Sequence, residues 1–150
     1  MNHNIIYYKR SLIFSIIMTI LMLLVFSPLL VLIFTEGGDK EYIGLYIVFV
    51  LGPFLGMTIY YLYKYCYNKK VELKYIQEVK LEKLTPGFNY CSSFVINMNI
   101  NGEMKKVETL AIYRSGWNAF LHFQVDDYVG EIVKVGYDEI NEIAVILKEE

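Results

Sequence analysis

The chain has 150 residues, 55% hydrophobic and 20% charged, with a mean hydropathy of +0.36 and a net charge of −2. Soluble domains run at about 45–50% apolar and about 25% charged, so this composition excludes an ordinary, wholly soluble globule. The first 70 residues carry six basic and three acidic side chains and the remaining 80 carry eight and thirteen; an acidic domain repels phosphate, which excludes nucleic acid as its partner.

From Leu12 to Phe34 the chain holds no charged residue, and none stands between Tyr42 and Tyr63. The first run, at 1.5 Å per residue, makes a helix of roughly 34 Å, enough to cross a hydrocarbon core of about 30 Å. Its hydroxyls, Ser15, Thr19 and Ser27, can bond back to helix carbonyls, and Pro28 removes one donor and predicts a kink. Pro53 predicts another in the second run. A cleaved signal peptide is not expected, because the run is too long and no small-residue cleavage site follows it. Thr35-Glu36-Gly37-Gly38-Asp39 reads as the turn of a helical hairpin.

Lys9 and Arg10 precede the first run, and Lys64, Lys69, Lys70 and Lys74 follow the second. Basic residues stay on the cytoplasmic side, so both termini are expected in the cytoplasm of a multi-pass protein of a bacterial cell membrane. Tyrosines cluster at the expected interfaces. Gly52 and Gly56 form a G-x-x-x-G spacing, whose alternatives are packing inside the hairpin, contact with a second protein, and chance. No charge lies within either run, so no ion path is expected.

Beyond residue 70 the chain reads as a small β domain, 71–150. Val71, Leu73, Tyr75, Val79 and Leu81 alternate with charged residues, which predicts a strand rather than a continued helix. Thr85-Pro86-Gly87 predicts a break. Phe94 to Ile100 alternates, and Asn101-Gly102 is the strongest short hairpin signal, since both residues accept positive φ. Lys105–Ile112 supplies the returning strand. Ser115-Gly116 marks a turn, Trp117–Val125 an aromatic strand, and Asp126-Asp127 another turn. Glu131–Tyr137 and Ala144–Leu147 complete about six strands. The expected fold is a two-helix transmembrane hairpin followed by a small all-β barrel-like or curled-sheet domain.

The stretch from Tyr128 to Ala144, with Gly130, Val133, Val135, Tyr137, Asp138 and Asn141 as its spine, resembles the closing phrase of a broad bacterial family of membrane-anchored small β-domain proteins, domain-of-unknown-function family 3592. The hairpin from Phe94 to Thr109 fits the layout of that family. Glu139 and Glu142 stand where proline is usual, and the β domain follows both helices rather than lying between them. The resemblance implies a fold and carries no activity.

Chemistry-bearing groups are sparse. His3 is expected in a flexible N-terminus and His122 on the outer face of a strand. Asp138, Glu139, Asn141 and Glu142 lack the spacing of a calcium loop and read as a solvated turn. Cys66 and Cys91 are not spaced as metal ligands and read as free thiols. No catalytic residue, cofactor or metal ligand is assigned, and the chain is expected not to be an enzyme. Tyr113, Arg114 and Trp117 are candidate interface residues, because these types most often anchor interfaces; the competing role for Trp117 is core filling. The expected function is a membrane-anchored adaptor whose partners are the bilayer and a protein or a second copy. The alternatives are an immunity protein against a membrane-active toxin and a scaffold resembling the NfeD type.

Overall fold

The computed structural model describes residues 2–35, 44–45, 47–82, 84–86, 91–113 and 128–147. It divides into two compact units: Tyr8–Tyr65, and a second made by Met1–Tyr7 together with Cys66–Glu150.

Helix α1 runs His3–Thr35, beginning nine residues before the apolar run. Its start is set by Asn2, whose Oδ1 accepts the main-chain N–H groups of Asn4 (2.8 Å) and Ile5 (3.3 Å). This is an N-cap, which satisfies donors that have no partner inside the helix. Ser15, Thr19, Ser27 and Thr35 donate to carbonyls three or four residues back, at 2.8–3.0 Å. A π-helical turn, Ile47–Leu51, leads directly into α2, Gly52–Lys70. Pro53 therefore stands near the start of α2, where its missing N–H costs little, and the main chain adjusts in the wider turn before it. Helix α2 outlasts its apolar run by seven residues, and Lys69 and Lys70 in its last turn suit its negative end.

His3–Pro28 and Ile47–Lys70 are both long and apolar enough to cross a membrane. Within Tyr8–Tyr65, Leu24, Val25, Val48, Phe49 and Ile59 are exposed on several faces of these helices. A helix apolar all round has no wet face, and its surface suits lipid.

The described residues of the other unit form seven strands: β1 (Lys74–Lys80), β2 (Leu84–Pro86), β3 (Cys91–Ile100), β4 (Glu103–Thr109), β5 (Ile112–Tyr113), β6 (Ile132–Asp138) and β7 (Ile143–Leu147). They form one sheet in the order β1-β6-β7-β4-β3-β2, with β5 also on β3. The β3–β4 hairpin turns at Asn101 (φ 56°) and Gly102 (φ 87°) and pairs Ile100 with Glu103, as a two-residue turn of this type requires. The break expected at Thr85-Pro86 is instead a short edge strand; an edge tolerates proline because no neighbour needs its N–H. Strands β4 and β7 run parallel, so the sheet is mixed rather than purely antiparallel.

The two end strands, β1 and β2, are consecutive in sequence and separated only by residues 81–83. The sheet must therefore curl until its ends meet. It does not close into a barrel. Where β1 faces β3 the link is made by side chains: Gln77 Oε1 accepts the Asn99 N–H (3.3 Å), and the Tyr75 hydroxyl donates to Asn101 Oδ1. Gln77 thus occupies a main-chain donor that a closing ladder would use. Tyr75 has φ 49° and sits in a bulge between Lys74 and Gln77, which bends β1 further.

Inside the curl lie Leu81, Phe94, Ile96, Met98, Ile100, Val107, Tyr128, Val135, Ala144 and Ile146. The period of two in β1, β3 and β6 sends these residues inward and leaves Ile76 and Ile132 outside. Gly136 has no room for a side chain, because a Cβ there would lie 2.8 Å from Cβ of Leu73.

Candidate functional site

The turn joining β6 to β7 was expected to be solvated, and its first residue is not. Asp138 is fully buried. Its Oδ1 accepts from the main-chain N–H groups of Ile140 (3.0 Å) and Asn141 (3.2 Å), and its Oδ2 from Asn141 Nδ2 (2.7 Å). The Tyr67 hydroxyl, on the last turns of α2, donates to the same carboxylate at 3.2 Å. A buried carboxylate is tolerated only when its lone pairs are filled in this way. Beside it Lys74 and Glu139 form an ion pair at 2.8 Å. The hydrogen bond and then the charge of Glu139 raise the Lys74 pKa above its ordinary value. Tyr137 is also raised, first by burial and then by the nearby carboxylates of Glu142, Glu139 and Asp138. Glu142 completes the turn with φ 55°. Ile140 at the tip is 76% exposed.

The N-terminal residues form a second cluster in the same unit, and the expectation of a flexible N-terminus for His3 is corrected. Asn2 makes an antiparallel bridge with Leu147 of β7. His3 is buried, with its ring edge-on to Tyr128 at 5.7 Å between centroids and its Nδ1 3.3 Å from the Tyr128 hydroxyl. These contacts are structural. The ring contact and the hydrogen bond together fasten the first residues of α1 to the segment that precedes β6. Among the described residues no group of three or more His, Cys, Asp and Glu side chains could hold a metal ion, and neither Cys66 nor Cys91 is in a disulfide.

Within Tyr8–Tyr65 the two helices meet through hydroxyls. Thr58 Oγ1 lies 3.2 Å from Ser15 Oγ and 3.4 Å from Thr19 Oγ1. Gly52 and Gly56 are both exposed. A Cβ at Gly56 would meet nothing within 4 Å, and one at Gly52 would meet only Ile47 O, at 3.4 Å. Among the described residues the hydroxyl cluster joins the two helices, and no described atom of α1 lies within 4 Å of a Cβ built at either glycine.

Of the candidate interface residues, Arg114 and Trp117 lie outside the described residues, as do His122, Asp126-Asp127 and the expected aromatic strand; Tyr113 is described only as the second residue of β5. A shallow cavity of about 280 Å³ opens beside the β1–β3 seam, between Val79, Lys80 and Glu82 on one side and Val95, Asn97 and Lys106 on the other. Lys80 is paired with Glu82 at 2.6 Å on the rim of this cavity.

Sequence reasoning missed Asn2, Tyr67 and Thr58. Asn2 carries a readable signal, since asparagine ahead of a long helical run is a common cap. Tyr67 carries none, because its partner lies 71 positions away. Comparison with protein-family profiles, with characterised proteins and with solved structures finds no match to this chain.

Proposed function

We propose that this protein is a non-enzymatic adaptor, anchored in the membrane by α1 and α2 and presenting its β domain on the cytoplasmic side for protein binding. One observation carries the reading. Residues 1–7 and 66–150 make a single compact unit, joined by the Asn2–Leu147 bridge and the His3–Tyr128 contact. The chain leaves this unit through one apolar helix and returns to it through the other. Two spans and one shared unit are what a hairpin with both ends on one side requires. The excess of lysine and arginine at those ends supports the cytoplasmic side.

The outward face of β1 and β6 supports a binding role. Glu78 stands opposite Lys134, and Lys80 stands opposite the exposed Ile132. Apolar groups bordered by charges of both signs are the usual make-up of a reversible interface.

The test is photocrosslinking in intact cells, with a photoreactive residue placed at Ile132 and, for comparison, at Met104 on the hairpin tip. The adaptor reading expects one discrete crosslinked protein from position 132, whether or not a toxin is expressed. Crosslinks to lipid alone from both positions would contradict it. Loss of viability confined to toxin-expressing cells would favour the immunity reading instead.

A further inference from the structure

The β6–β7 turn is built more firmly than a connecting turn needs to be. A buried carboxylate, a left-handed Glu142 and an ion pair hold four residues, and the side chain this frame presents is Ile140, the most exposed large apolar residue among those described. Tyr67 ties the frame to the last turns of α2.

That tie sets the turn beside the end of α2. The uncharged run of α2 ends at Tyr63, four residues before Tyr67, which is roughly 6 Å along a helix axis. The polar layer of a bilayer leaflet is about 5–8 Å deep. Tyr67 then stands in that layer, and a turn in hydrogen-bond contact with its hydroxyl stands beside it. We propose that the turn Asp138–Glu142 is a membrane-surface contact, with Ile140 inserted into the interfacial layer of the bilayer that α2 crosses. The proposal rests on the reading of α2 as a membrane span.

The lipid surface is favoured over a protein occupant by area. A stable protein interface buries about 800 Å² on each side, and one isoleucine on a tight turn supplies a small fraction of that. A bilayer needs only the tip. Charge is permissive: Lys69, Lys70 and Lys74 on the α2 side are set against Glu72, Glu139 and Glu142, with Glu139 paired to Lys74. The contact is therefore apolar and does not depend on anionic lipid.

The test uses the full chain with Cys66→Ser and Cys91→Ser, reconstituted in phosphatidylcholine vesicles with and without phosphatidylglycerol. Single cysteines replace Ile140, Met104 or Ile59 in turn and carry an environment-sensitive fluorophore. The expected result is a blue-shifted probe at 140, quenched by lipids spin-labelled near the head group and shielded from aqueous iodide in both vesicles. The probe at 104, equally exposed in the fold but on the hairpin tip, is expected to be open to iodide. A probe at 140 that iodide quenches as fully as the one at 104 overturns the proposal. The probe at 59 reports on α2 alone. If spin-labelled lipid fails to quench it, the span reading has failed and the proposal falls with it, which is a different pattern from failure at 140.

Discussion

The hydroxyl of Tyr67 donates to the buried carboxylate of Asp138 across 71 positions of sequence, at 3.2 Å. This bond joins the end of α2 to the turn that closes the sheet. Asp138 also organises its own turn through the N–H groups of Ile140 and Asn141. One side chain therefore sets both the conformation of the turn and its attachment.

Removing that carboxylate should be costly. Asp138→Ala leaves several buried donors without an acceptor, which costs about 1–3 kcal/mol for each group left unsatisfied. Tyr67→Phe removes one bond to a charged acceptor and should cost about 1.5–3 kcal/mol. Chemical denaturation of the detergent-solubilised chain measures both. A double variant no worse than Asp138→Ala alone would show that the two act through one bond.

Gly136 should accept no side chain while Leu73 is present. A Cβ would sit 2.8 Å from Leu73 Cβ and 3.2 Å from its Cδ1. Gly136→Ala is expected to cost about 1–3 kcal/mol through overpacking. Leu73→Gly, which removes both atoms, should recover part of that cost when the two changes are combined. Additive losses would mean the contact is not the cause.

These two sites divide what sequence could and could not reveal. The inward set of β6, Val133, Val135 and Tyr137, follows from alternation alone, because neighbours on a strand point to opposite faces. The Asn101-Gly102 turn was legible because few residue types accept its φ values. Asp138 was misread as solvated, since an Asp/Asn-rich turn looks the same whether water or a distant tyrosine fills its lone pairs. The burial of His3 was illegible for a similar reason: its partner, Tyr128, is 125 residues away. The uncharged runs gave the helices, but not the face on which they meet. Gly52 and Gly56 had the spacing of a packing motif, and the described contact instead uses Ser15, Thr19 and Thr58, whose hydroxyls had only local bonds in view.

The hydroxyl contact gives a prediction with a built-in contrast. Thr58→Val should weaken the association of α1 and α2 by about 0.6 kcal/mol, the average for interhelical hydrogen bonds in a bilayer. Gly56→Ala should leave it unchanged, because the added Cβ meets nothing within 4 Å. Unfolding in mixed micelles of increasing sodium dodecyl sulfate content separates the two outcomes. A larger loss for Gly56→Ala than for Thr58→Val would reverse the assignment.

Stability of the β domain should fall in alkali. Tyr137 and Lys74 both have folded pKa values above their ordinary 10.0 and 10.5. A group whose pKa is raised on folding holds its proton more tightly in the native state. Its contribution is then full below the unfolded pKa and is lost as pH rises through the folded one. Denaturation midpoints should be level from neutral pH to about 10 and decline above it. Tyr137→Phe should make that decline shallower. Lys74 is too exposed to contribute more than a small part.

The proposed topology puts both ends of the helical hairpin in one unit on the cytoplasmic side. Its most direct test is the labelling of single cysteines with a membrane-impermeant maleimide in intact and in permeabilised cells, with Cys66 and Cys91 replaced by serine. One cysteine is added ahead of Met1 and another replaces Glu103 at the exposed hairpin tip. The expected result is that neither labels in intact cells and both label once the membrane is opened. Labelling of one position but not the other in intact cells would put the two ends on opposite sides and contradict the shared unit. Labelling of both would keep the shared unit and place it outside, contradicting the cytoplasmic assignment.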